Sequence, residues 1–256
     1  MDRDVFETHA RVERRHWWFE ARRRILRAVA DAAAPRRPAP RVIDIGCGVG
    51  ATLAAFRDGY ACVGYDPSPD AIALGREQHP DFDLRSGTAR DAAPEIARAT
   101  VVLLNDVIEH VPDDRALLAA AVAPMSAGSV LIVTVPADMR LWSPHDEALG
   151  HYRRYDAAML SSVLAGLPLR PRLLSHFNTR LYPVVRAVRI LARASGRAVG
   201  SDGTDLRPAP PLINGVLVRV LAGERRRLLA VLAGRRPPYR RGVSLMAVLE
   251  RTGGAA

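Results

Sequence analysis

Residues 42 to 50 read Val-Ile-Asp-Ile-Gly-Cys-Gly-Val-Gly, an apolar run that ends in three glycines at alternate positions. The run predicts a buried strand, and the segment Ala-Thr-Leu-Ala-Ala-Phe that follows it predicts a helix. Glycine lets the backbone pass close under a ligand because it has no Cβ to collide. A helix N-terminus behind such a turn offers N–H groups to a polar or anionic group. We therefore predict the first strand, loop and helix of an α/β domain that binds a ligand at this loop.

The glycine spacing by itself fits a dinucleotide cofactor. Gly46-x-Gly48-x-x-Ala51 satisfies the dinucleotide-binding pattern, and Asp66 lies at the distance where that pattern places a ribose-binding acid. Because glycines after a strand are a weak signal alone, the choice of cofactor depends on the residues that surround them.

Features around the glycines favour a different cofactor. Asp44 stands two residues before the first glycine, which gives the pattern Asp-x-Gly-x-Gly-x-Gly. Asp66 ends a second predicted strand (61 to 65), where its carboxylate can accept hydrogen bonds from both hydroxyls of a ribose. Residues 101 to 111 predict a fourth strand that runs into the polar loop Asn-Asp-Val-Ile-Glu-His. This set resembles the class I S-adenosylmethionine (SAM)-dependent methyltransferases, in which the fourth-strand loop flanks the methyl group. The resemblance favours SAM over a nicotinamide dinucleotide.

The resemblance implies which residues hold SAM and its product, S-adenosylhomocysteine. The opening segment His16-Trp-Trp-Phe-Glu-Ala-Arg-Arg23 also resembles bacterial methyltransferases of polysaccharide, glycolipid and secondary-metabolite pathways, in which a leading helix closes over the cofactor. That implies Trp18 beside the methionine end of SAM; packing of Trp17 and Trp18 into the core is the alternative. The other implied contacts are Asp44, Gly46, Gly48 and Gly50 at the methionine, Asp66 and Pro67 at the ribose, Thr88 and Ala89 along the adenine, and Asn105 and Asp106 beside the sulfonium.

The charge of the chain is strongly positive but says little about a partner. The formal net charge is +10, and every basic side chain is an arginine. Together with the abundance of alanine, this is typical of codon bias in a GC-rich genome. Aromatic residues make up 5% of the chain, too few to support a stacking platform for single-stranded nucleic acid. The composition therefore argues against nucleic acid as the partner.

Compartment and metal content are predicted from what the sequence offers. Cys47 and Cys62 lack metal-site spacing, so we expect reduced thiols in a cytoplasmic protein, with contact to the inner membrane face as an option. The start Met-Asp-Arg-Asp has no signal-peptide character. Asn105, Asp106 and His145 with its neighbour Asp146 could offer ligands to Mg²⁺, but their spacing predicts no convergent site, and we expect no metal.

The order of elements predicts the fold class and four segments. Strands and helices alternate from 41 to 136, which favours a Rossmann-like, mostly parallel sheet covered on both faces. The resemblance adds a seventh strand and an antiparallel hairpin at the sheet edge. The predicted segments are an N-terminal helical lid and linker (1–40), a SAM-binding α/β core (41–179), a helical insertion (180–236) and a final core strand and tail (237–256). The predicted helices are 5–34, 113–125 and 157–165, and the remaining strands are 81–84, 129–135, 170–177 and 242–250.

The insertion carries two amphipathic patterns. Leu181, Val184, Val185, Val188, Leu191 and Ala192 recur at helical spacing, and Arg186, Arg189, Arg193 and Arg197 lie largely off that stripe. A second helix, 212 to 233, carries Leu212, Val216, Val220 and Leu221, with the arginines at 225 to 227 exposed. Two interpretations remain open: a lid that packs these stripes on the core or on each other, or a basic amphipathic surface that rests on anionic lipid.

The residues for the acceptor follow the fourth and fifth strands. A hydroxyl acceptor benefits from a general base, and histidine titrates in the useful range, so the candidates are His110, His145 and His151. For each of them a structural role is the alternative. The segment from 142 to 155 is dense in aromatic residues and arginines, and a solvated loop in which Arg154 pairs with Asp156 is its alternative. The candidate acceptor-binding residues in it are Trp142, Tyr152, Arg153, Arg154 and Tyr155.

The sequence thus predicts a SAM-dependent methyltransferase that most readily O-methylates a small molecule, a sugar or a lipid-linked acceptor. Methyl transfer from a sulfonium is an in-line displacement, so the enzyme mainly aligns the reactants and excludes water. Two alternatives remain: an RNA methyltransferase, whose binding would weaken steeply with salt, and a non-catalytic scaffold that binds a partner or membrane through its cap helices. The oligomeric state is not predicted.

Overall fold

A single seven-stranded sheet organises the chain. The computed structural model describes residues 12–13, 15–194 and 209–253. Its strands are β1 (Arg41–Ile45), β2 (Ala61–Asp66), β3 (Asp83–Ser86), β4 (Val101–Asn105), β5 (Val130–Pro136), β6 (Leu169–Phe177) and β7 (Ser244–Arg251). Its α-helices are α1 (Trp17–Ala33), α2 (Pro69–Gln78), α3 (Ala93–Arg98), α4 (Asp114–Val122), α5 (Pro144–Ala148), α6 (Ala157–Leu164), α7 (Tyr182–Ala194), α8 (Pro211–Ala222) and α9 (Arg225–Leu232).

The strand order confirms the predicted sheet. It is β3-β2-β1-β4-β5-β7-β6, and β7 alone runs antiparallel to its two neighbours, β5 and β6. Consecutive residues of the central strands are buried on opposite faces, because side chains alternate along a strand. Val42 and Leu103 face one hydrophobic core, whereas Ile43 and Leu104 face the other. The sheet is therefore covered on both faces, and the carboxyl ends of β1, β2 and β4 meet at one edge.

Two predicted elements of the α/β core differ from the structure. The third strand is Asp83–Ser86 rather than 81–84, because Phe82 is buried beneath the sheet and pairing with β2 begins at Asp83. The residues behind the glycine loop form a five-residue 3₁₀ helix, Ala51–Ala55, instead of an α-helix. A 3₁₀ helix closes i→i+3 hydrogen bonds and suits a short connection back to β2.

The N-terminal helix packs along the sheet and has a defined start. His16 caps α1, because its Nδ1 accepts from the N–H of Trp18 at 3.3 Å. Ile25 and Val29 are fully buried on its inner face, as their spacing predicts. Trp18 stacks on Phe177 at the end of β6, with ring centroids 5.7 Å apart. The predicted continuous helix from 5 to 34 is wrong at its start, because Arg15 and His16 are not helical and α1 begins at Trp17; residues 1–11 and 14 lie outside the described residues.

The described part of the insertion is helical, but its second predicted helix is divided in two. The expected long helix from 212 to 233 is interrupted at Gly223 and Glu224, so that α8 and α9 are separate. Glu224 is fully buried and accepts from the backbone N–H groups of Thr179 and Arg180, which ties this break to the end of β6. Because a buried carboxylate needs hydrogen-bond donors, these contacts account for the interruption of the helix at Glu224. The Gly-, Ser- and Pro-rich loop and Arg197 lie outside the described residues.

The apolar stripe of α7 does not face the core. Val184, Val188 and Leu191 are 61%, 44% and 68% exposed, whereas Arg189 is buried on the opposite side. In α8 the inner face is formed by Val218, Leu221 and Ala222, and α8 packs against α1, whose Trp17 N–H donates to Asn214 Oδ1 at 2.9 Å. The apolar residues of α7 and α8, which one interpretation of the sequence packed on the core or on each other, are therefore buried only in part.

Candidate active site at the carboxyl ends of the central strands

The glycine loop leaves an open groove at the end of β1. Gly46 and Gly48 have φ values of +73° and +55°, a region that residues with a Cβ rarely adopt. A Cβ on Gly46 would lie 2.7 Å from Val107 Cγ2, so the loop contacts the fourth-strand turn directly. A Cβ on Gly48 would meet nothing within 4 Å, which leaves room for a ligand over the backbone at that position.

Asp66 closes the groove on the side of β2. Its Oδ2 accepts from the N–H of Gly48 at 2.8 Å and its Oδ1 from the N–H of Ser68 at 2.9 Å. Burial raises the pKa of Asp66, and these two backbone donors oppose that effect. Each carboxylate oxygen keeps a further lone pair. Both oxygens can therefore still accept hydrogen bonds from ribose hydroxyls, and this predicted contact stays a prediction.

Asp44 lies deeper, beneath the glycine loop. It is 1% exposed, and its Oδ1 accepts from the Asn105 amide at 3.3 Å. Burial raises the pKa of Asp44 to about 7, while Arg22 and the Asn105 amide act in the opposite direction. The carboxyl therefore changes charge near neutral pH unless a cationic group comes to lie beside it.

Asp106 stands at the end of β4 in a strained conformation. Its φ is +55°, and its N–H donates to the carbonyl oxygen of Thr134 in β5 at 2.9 Å. Its carboxylate accepts from the guanidinium of Arg22 and, at 3.2 Å, from the hydroxyl of Thr134. Arg22 comes from α1, so the N-terminal helix reaches the place where the resemblance puts the sulfonium. Non-glycine residues in this conformation often mark functional sites.

The expected adenine segment follows β3. The N–H and hydroxyl of Thr88 donate to Asp91 Oδ2 at 2.8 and 2.7 Å, which shapes the turn. Ala89 is buried in the core, and Pro67 is exposed after β2. These three residues lie beside the end of β2, and their contacts with adenine stay a prediction.

Two of the three candidate histidines come together. His110 ends a 3₁₀ turn (Ile108–His110) after β4, and His151 follows α5. The N–H of Tyr152 donates to the carbonyl oxygen of Glu109 at 2.8 Å, which holds the two segments side by side. The rings of His110 and His151 lie edge to face with centroids 4.6 Å apart. His145 lies on α5 and is not part of this ring pair, and its predicted catalytic role stays a prediction.

A buried carboxylate orients His151. Asp146 Oδ1 lies 3.0 Å from His151 Nδ1, and Asp146 is fully buried. Arg154 donates to both oxygens of Asp146, at 2.8 and 3.1 Å. Burial raises the pKa of Asp146, but the hydrogen bond to His151 and the charge of Arg154 lower it to about 2. Asp146 is therefore ionised and directs the other nitrogen of His151, Nε2, away from itself.

Glu109 lies next to the two histidines and is fully buried. Neither of its carboxylate oxygens has a hydrogen-bond partner among the described residues. Burial, together with the negative charge of Asp106, raises the pKa of Glu109 well above its usual range. A carboxylate oxygen of Glu109 and ring nitrogens of His110 and His151 lie within 4.8 Å of one another.

The aromatic and arginine-rich segment is more structural than the sequence suggests. Arg154 pairs with Asp146 and not with Asp156, and its side chain is 6% exposed, so we expect it to position His151. Arg153 donates to Asp114 Oδ2 at 2.8 Å, and the hydroxyl of the buried Tyr155 donates to the same oxygen at 2.7 Å. These contacts occupy the groups that were expected to grip an acceptor.

Two expected acceptor-binding residues remain accessible. Tyr152 is 57% exposed. Trp142 is half-buried, its Nε1 donates to Glu147 at 3.1 Å, and its carbonyl oxygen accepts from Arg193 of α7 at 2.7 Å. Acceptor binding by Trp142 and Tyr152 stays a prediction.

The roles of three residues of this site were missed in the sequence, although two of them left a signal. Arg22 falls on the apolar stripe of α1 between Trp18 and Ile25, and a charge on such a face indicates a buried partner. Asp146 is the third residue after Ser143, the spacing of a capping box, which the structure contains. Glu109 lies in an apolar stretch next to His110, but nothing local reveals that its oxygens are unpartnered.

Comparisons with known proteins agree with this geometry. Residues 16–167 match a family described as "Methyltransferase domain". Over 99 residues the chain is 35% identical to a ubiquinone biosynthesis O-methyltransferase of Bradyrhizobium sp. (strain ORS 278), which covers 37% of this chain and 39% of that protein. It is 26% identical over 236 residues to a trans-aconitate 2-methyltransferase of Deinococcus radiodurans, which covers 82% of this chain and 86% of that protein.

Solved structures share the fold at low identity. A methyltransferase of Haloferax volcanii, in complex with the Trm112 methyltransferase activator, matches 99% of both chains with a TM-score of 0.59 and 18% identity. A geranyl diphosphate methyltransferase in complex with SAM matches 91% of this chain and 90% of its own, with a TM-score of 0.54 and 16% identity. The family match covers more than half of the chain and includes the glycine loop, Asp44, Asp66 and both paired histidines. The chain therefore belongs to the methyltransferase-domain family.

Proposed function

We propose that the enzyme transfers the methyl group of SAM to a hydroxyl oxygen of a small-molecule acceptor. The observation that carries this proposal is the Asp146–His151 pair beside His110, at the end of the strand whose loop flanks the methyl group in this family. A sulfonium methyl needs no further activation, but a hydroxyl nucleophile gains from losing its proton. A histidine oriented by an ionised carboxylate supplies that function.

The reaction follows from this arrangement. The acceptor O–H bond breaks as the proton passes to the histidine cluster, with His151 Nε2 the best-placed receiver. The acceptor oxygen forms a bond to the methyl carbon while the carbon–sulfur bond breaks, and S-adenosylhomocysteine leaves. Arg22 and Asp106 hold α1 against the end of β4. This contact closes the groove and limits the access of water to the sulfonium.

The relatives support a small acceptor. The aligned ubiquinone-pathway relative is by its name an O-methyltransferase, and the trans-aconitate 2-methyltransferase aligns along most of this chain. By analogy with these relatives, we propose that the acceptor is a small organic molecule that binds beside His151. A sugar or a lipid-linked glycan is a further candidate acceptor. Which acceptor is methylated depends on the side chains that surround it near Trp142 and Tyr152.

We also propose that this enzyme is cytoplasmic and that it contacts the membrane surface. The contact is made through a basic surface of the cap, which is the helical insertion with α7, α8 and α9. A cavity of about 690 Å³ is lined by seven arginines and no acidic residue. Six of them, all except Arg24, form no ion pair with any described acidic side chain; Arg24 pairs with Glu20. The lining arginines are Arg24, Arg180, Arg219, Arg225, Arg226, Arg227 and Arg236. The exposed apolar residues of α7 and α8 belong to the same cap, and this combination suits an anionic lipid surface better than a closed lid.

No described helix is long and apolar enough to cross a bilayer. The RNA methyltransferase alternative uses the same arginines on phosphates and predicts binding that falls steeply with salt. The scaffold alternative predicts SAM binding without turnover.

Radiolabelled methyl transfer tests the proposal. The purified full chain is incubated with methyl-labelled SAM and small hydroxylated compounds, among them catechols and hydroxy acids, and label is traced by extraction and mass spectrometry. We expect an O-methyl product that resists acid treatment as an ether or that hydrolyses as an ester. Label found only in RNA, or only on nitrogen or carbon, contradicts O-methylation. Stoichiometric SAM binding without transfer to any fraction of a cell extract favours the scaffold.

A further inference from the structure

The buried carboxylate of Glu109 has no role in the proton transfer proposed above. Its side chain is fully buried, and both carboxylate oxygens lack a hydrogen-bond partner among the described residues. Buried polar atoms in native proteins nearly always have a partner, and each exception calls for a reason such as an ion. Two imidazole rings stand beside it, and the three ligand atoms of Glu109, His110 and His151 lie within 4.8 Å of one another.

We propose that Glu109, His110 and His151 bind a divalent metal ion of the zinc type, which takes the acceptor hydroxyl as a further ligand. The inference rests on the proposed O-methylation and names how the hydroxyl is activated. Two histidines and one carboxylate, with an open position, form a ligand set typical of catalytic Zn²⁺ sites. It differs from the oxygen-rich set of Asn105, Asp106 and the His145–Asp146 pair that the sequence offered.

The distances allow this after a small movement. Metal–ligand bonds of about 2.0–2.2 Å place ligand atoms roughly 3–4 Å apart around one ion. The three ligand atoms lie within 4.8 Å of one another, so small side-chain rotations can bring them to this spacing. The N–H of Tyr152 on the carbonyl oxygen of Glu109 keeps the two ligand-bearing segments in place while their side chains turn.

The surroundings of His151 match those of a metal ligand. Its Nδ1 lies 3.0 Å from Asp146, which leaves Nε2 to coordinate the ion. Asp146 is held in turn by both guanidinium contacts of Arg154 and by the N–H of Ser143 at 2.9 Å. A ligating histidine almost always gives its other nitrogen to such a carboxylate, which fixes the ring and raises its basicity.

The ion is expected to bind the deprotonated forms of its ligands, the Glu109 carboxylate and two neutral imidazoles. The bound cation then lowers the pKa of the acceptor hydroxyl. The O–H bond breaks with its proton leaving to water, the oxygen attacks the methyl carbon, and the carbon–sulfur bond breaks. His151 acts as a ligand in this form.

Metal content and metal affinity provide the direct test. The full chain is purified without chelator or affinity metal, assayed by plasma mass spectrometry, then stripped and titrated with Zn²⁺ by calorimetry. We expect close to one ion per chain and a rise in melting temperature on reloading. Co²⁺ substitution is expected to give the visible absorption of a four- or five-coordinate site with nitrogen and oxygen ligands. A chain that holds no stoichiometric ion and gives no heat with Zn²⁺ overturns the proposal.

Variants separate the ligands from their surroundings. Glu109→Gln and His110→Asn are each expected to weaken Zn²⁺ binding at least a hundredfold, and Asp146→Asn ten- to a hundredfold. Glu95→Gln, which removes a half-buried carboxylate paired with Arg41 far from the cluster, serves as control and leaves Zn²⁺ affinity unchanged. Melting curves of each variant check folding. Equal Zn²⁺ affinity in Glu109→Gln and Glu95→Gln contradicts the site.

The metal proposal and the proposed function fail in different ways. If a stripped enzyme without detectable ion O-methylates its acceptor at the full rate, the metal proposal is wrong and the function stands. If the chain binds one Zn²⁺ at this cluster but methylates no hydroxyl compound, the metal site stands and O-methylation is wrong. SAM affinity, measured in both forms, is expected to be the same, because the cofactor residues are not ligands.

Discussion

The cofactor side and the acceptor side of the cleft are built in different ways. On the cofactor side, Asp44 and Gly48 belong to one short stretch at the end of β1, and Asp66 ends the neighbouring parallel strand. On the acceptor side, His110 and His151 come from separate loops, and the orientation of His151 depends on Asp146 and Arg154. Backbone conformation sets the first side, whereas contacts between distant side chains set the second. The difference explains why one half is readable as a motif and the other is not.

The largest effect is expected on the acceptor side. Asp146→Asn removes the charge that orients His151, and we expect kcat to fall about 10²–10³-fold, within the range of general acid–base contributions. Because the cofactor groove is built separately, the Kd for SAM should stay within twofold. Steady-state kinetics and calorimetry measure the two quantities. His79→Gln, far from the cleft on the C-terminal side of α2, is the control. A parallel loss of SAM affinity would show that the two sides are not independent.

The reciprocal change is expected on the cofactor side. Asp66→Ala removes the acceptor for the ribose hydroxyls and for the N–H of Gly48, so we expect SAM affinity to fall ten- to a hundredfold, about 1.5–3 kcal/mol for hydrogen bonds to a charged group. Calorimetric titration with SAM gives this value. Asp70→Ala, in the exposed first turn of α2, should bind SAM as the wild type does. An unchanged affinity in Asp66→Ala removes this residue from the site.

The buried acid of the cofactor side also makes stability depend on pH. The pKa of Asp44 is about 7 in the folded protein and about 4 in an unfolded chain. Between these values the folded state holds a proton that the unfolded state has lost, so stability falls as pH rises, by up to about 1.4 kcal/mol per unit. Above pH 7 both states are ionised and the penalty is constant.

Comparison with Asp44→Asn isolates this contribution. His16 and His176, whose pKa values are lowered by burial, tilt stability the opposite way over part of the same range, and they are present in both proteins. Asp146, with a pKa of about 2, acts below pH 4. Urea unfolding at pH 5, 6 and 7 should give a difference between the two proteins that grows with pH in favour of Asp44→Asn. A difference that is constant with pH contradicts the raised pKa.

The smallest effect is expected at the basic surface of the cap. This surface belongs neither to the cofactor side nor to the acceptor side. Arg226→Gln should reduce binding to vesicles with anionic lipid by about 1 kcal/mol, roughly fivefold, because each arginine near such a surface contributes about that amount. Flotation with anionic and with neutral vesicles measures it. Arg98→Gln, an exposed arginine on α3, is the matched control for net charge. Equal losses in both variants indicate general charge attraction rather than this surface.

The sequence predicts the fold well because its signals are local, and the predicted cofactor-binding residues stay a prediction. Strand ends, glycines at positive φ and acids at the carboxyl edge of a parallel sheet follow from a few consecutive residues each. The sheet with its antiparallel edge, both predicted, is confirmed. The errors at β3 and at the turn after the glycine loop concern boundaries, which depend on how Phe82 and the connection to β2 pack. The predicted boundaries of the four segments are not tested and stay a prediction.

The cap shows where local patterns fail. Helical spacing placed Val184, Val188 and Leu191 on one stripe, and the structure keeps that stripe but turns it outward. Periodicity identifies an amphipathic helix without saying which face its neighbours cover. The break before α9 has a similar origin, since Glu224 is held by backbone donors that belong to the end of β6.

The amino-acid sequence alone determined that this chain folds around a parallel sheet with a glycine loop and two flanking acids, because hydrophobic periodicity and backbone restrictions act within a few residues. Tertiary structure alone decided that His110 and His151 meet, that Arg154 supports Asp146, and that Glu109 lies buried with unpartnered oxygens. Those facts depend on loops brought together by the sheet and on desolvation, and both are properties of the packed molecule rather than of any segment.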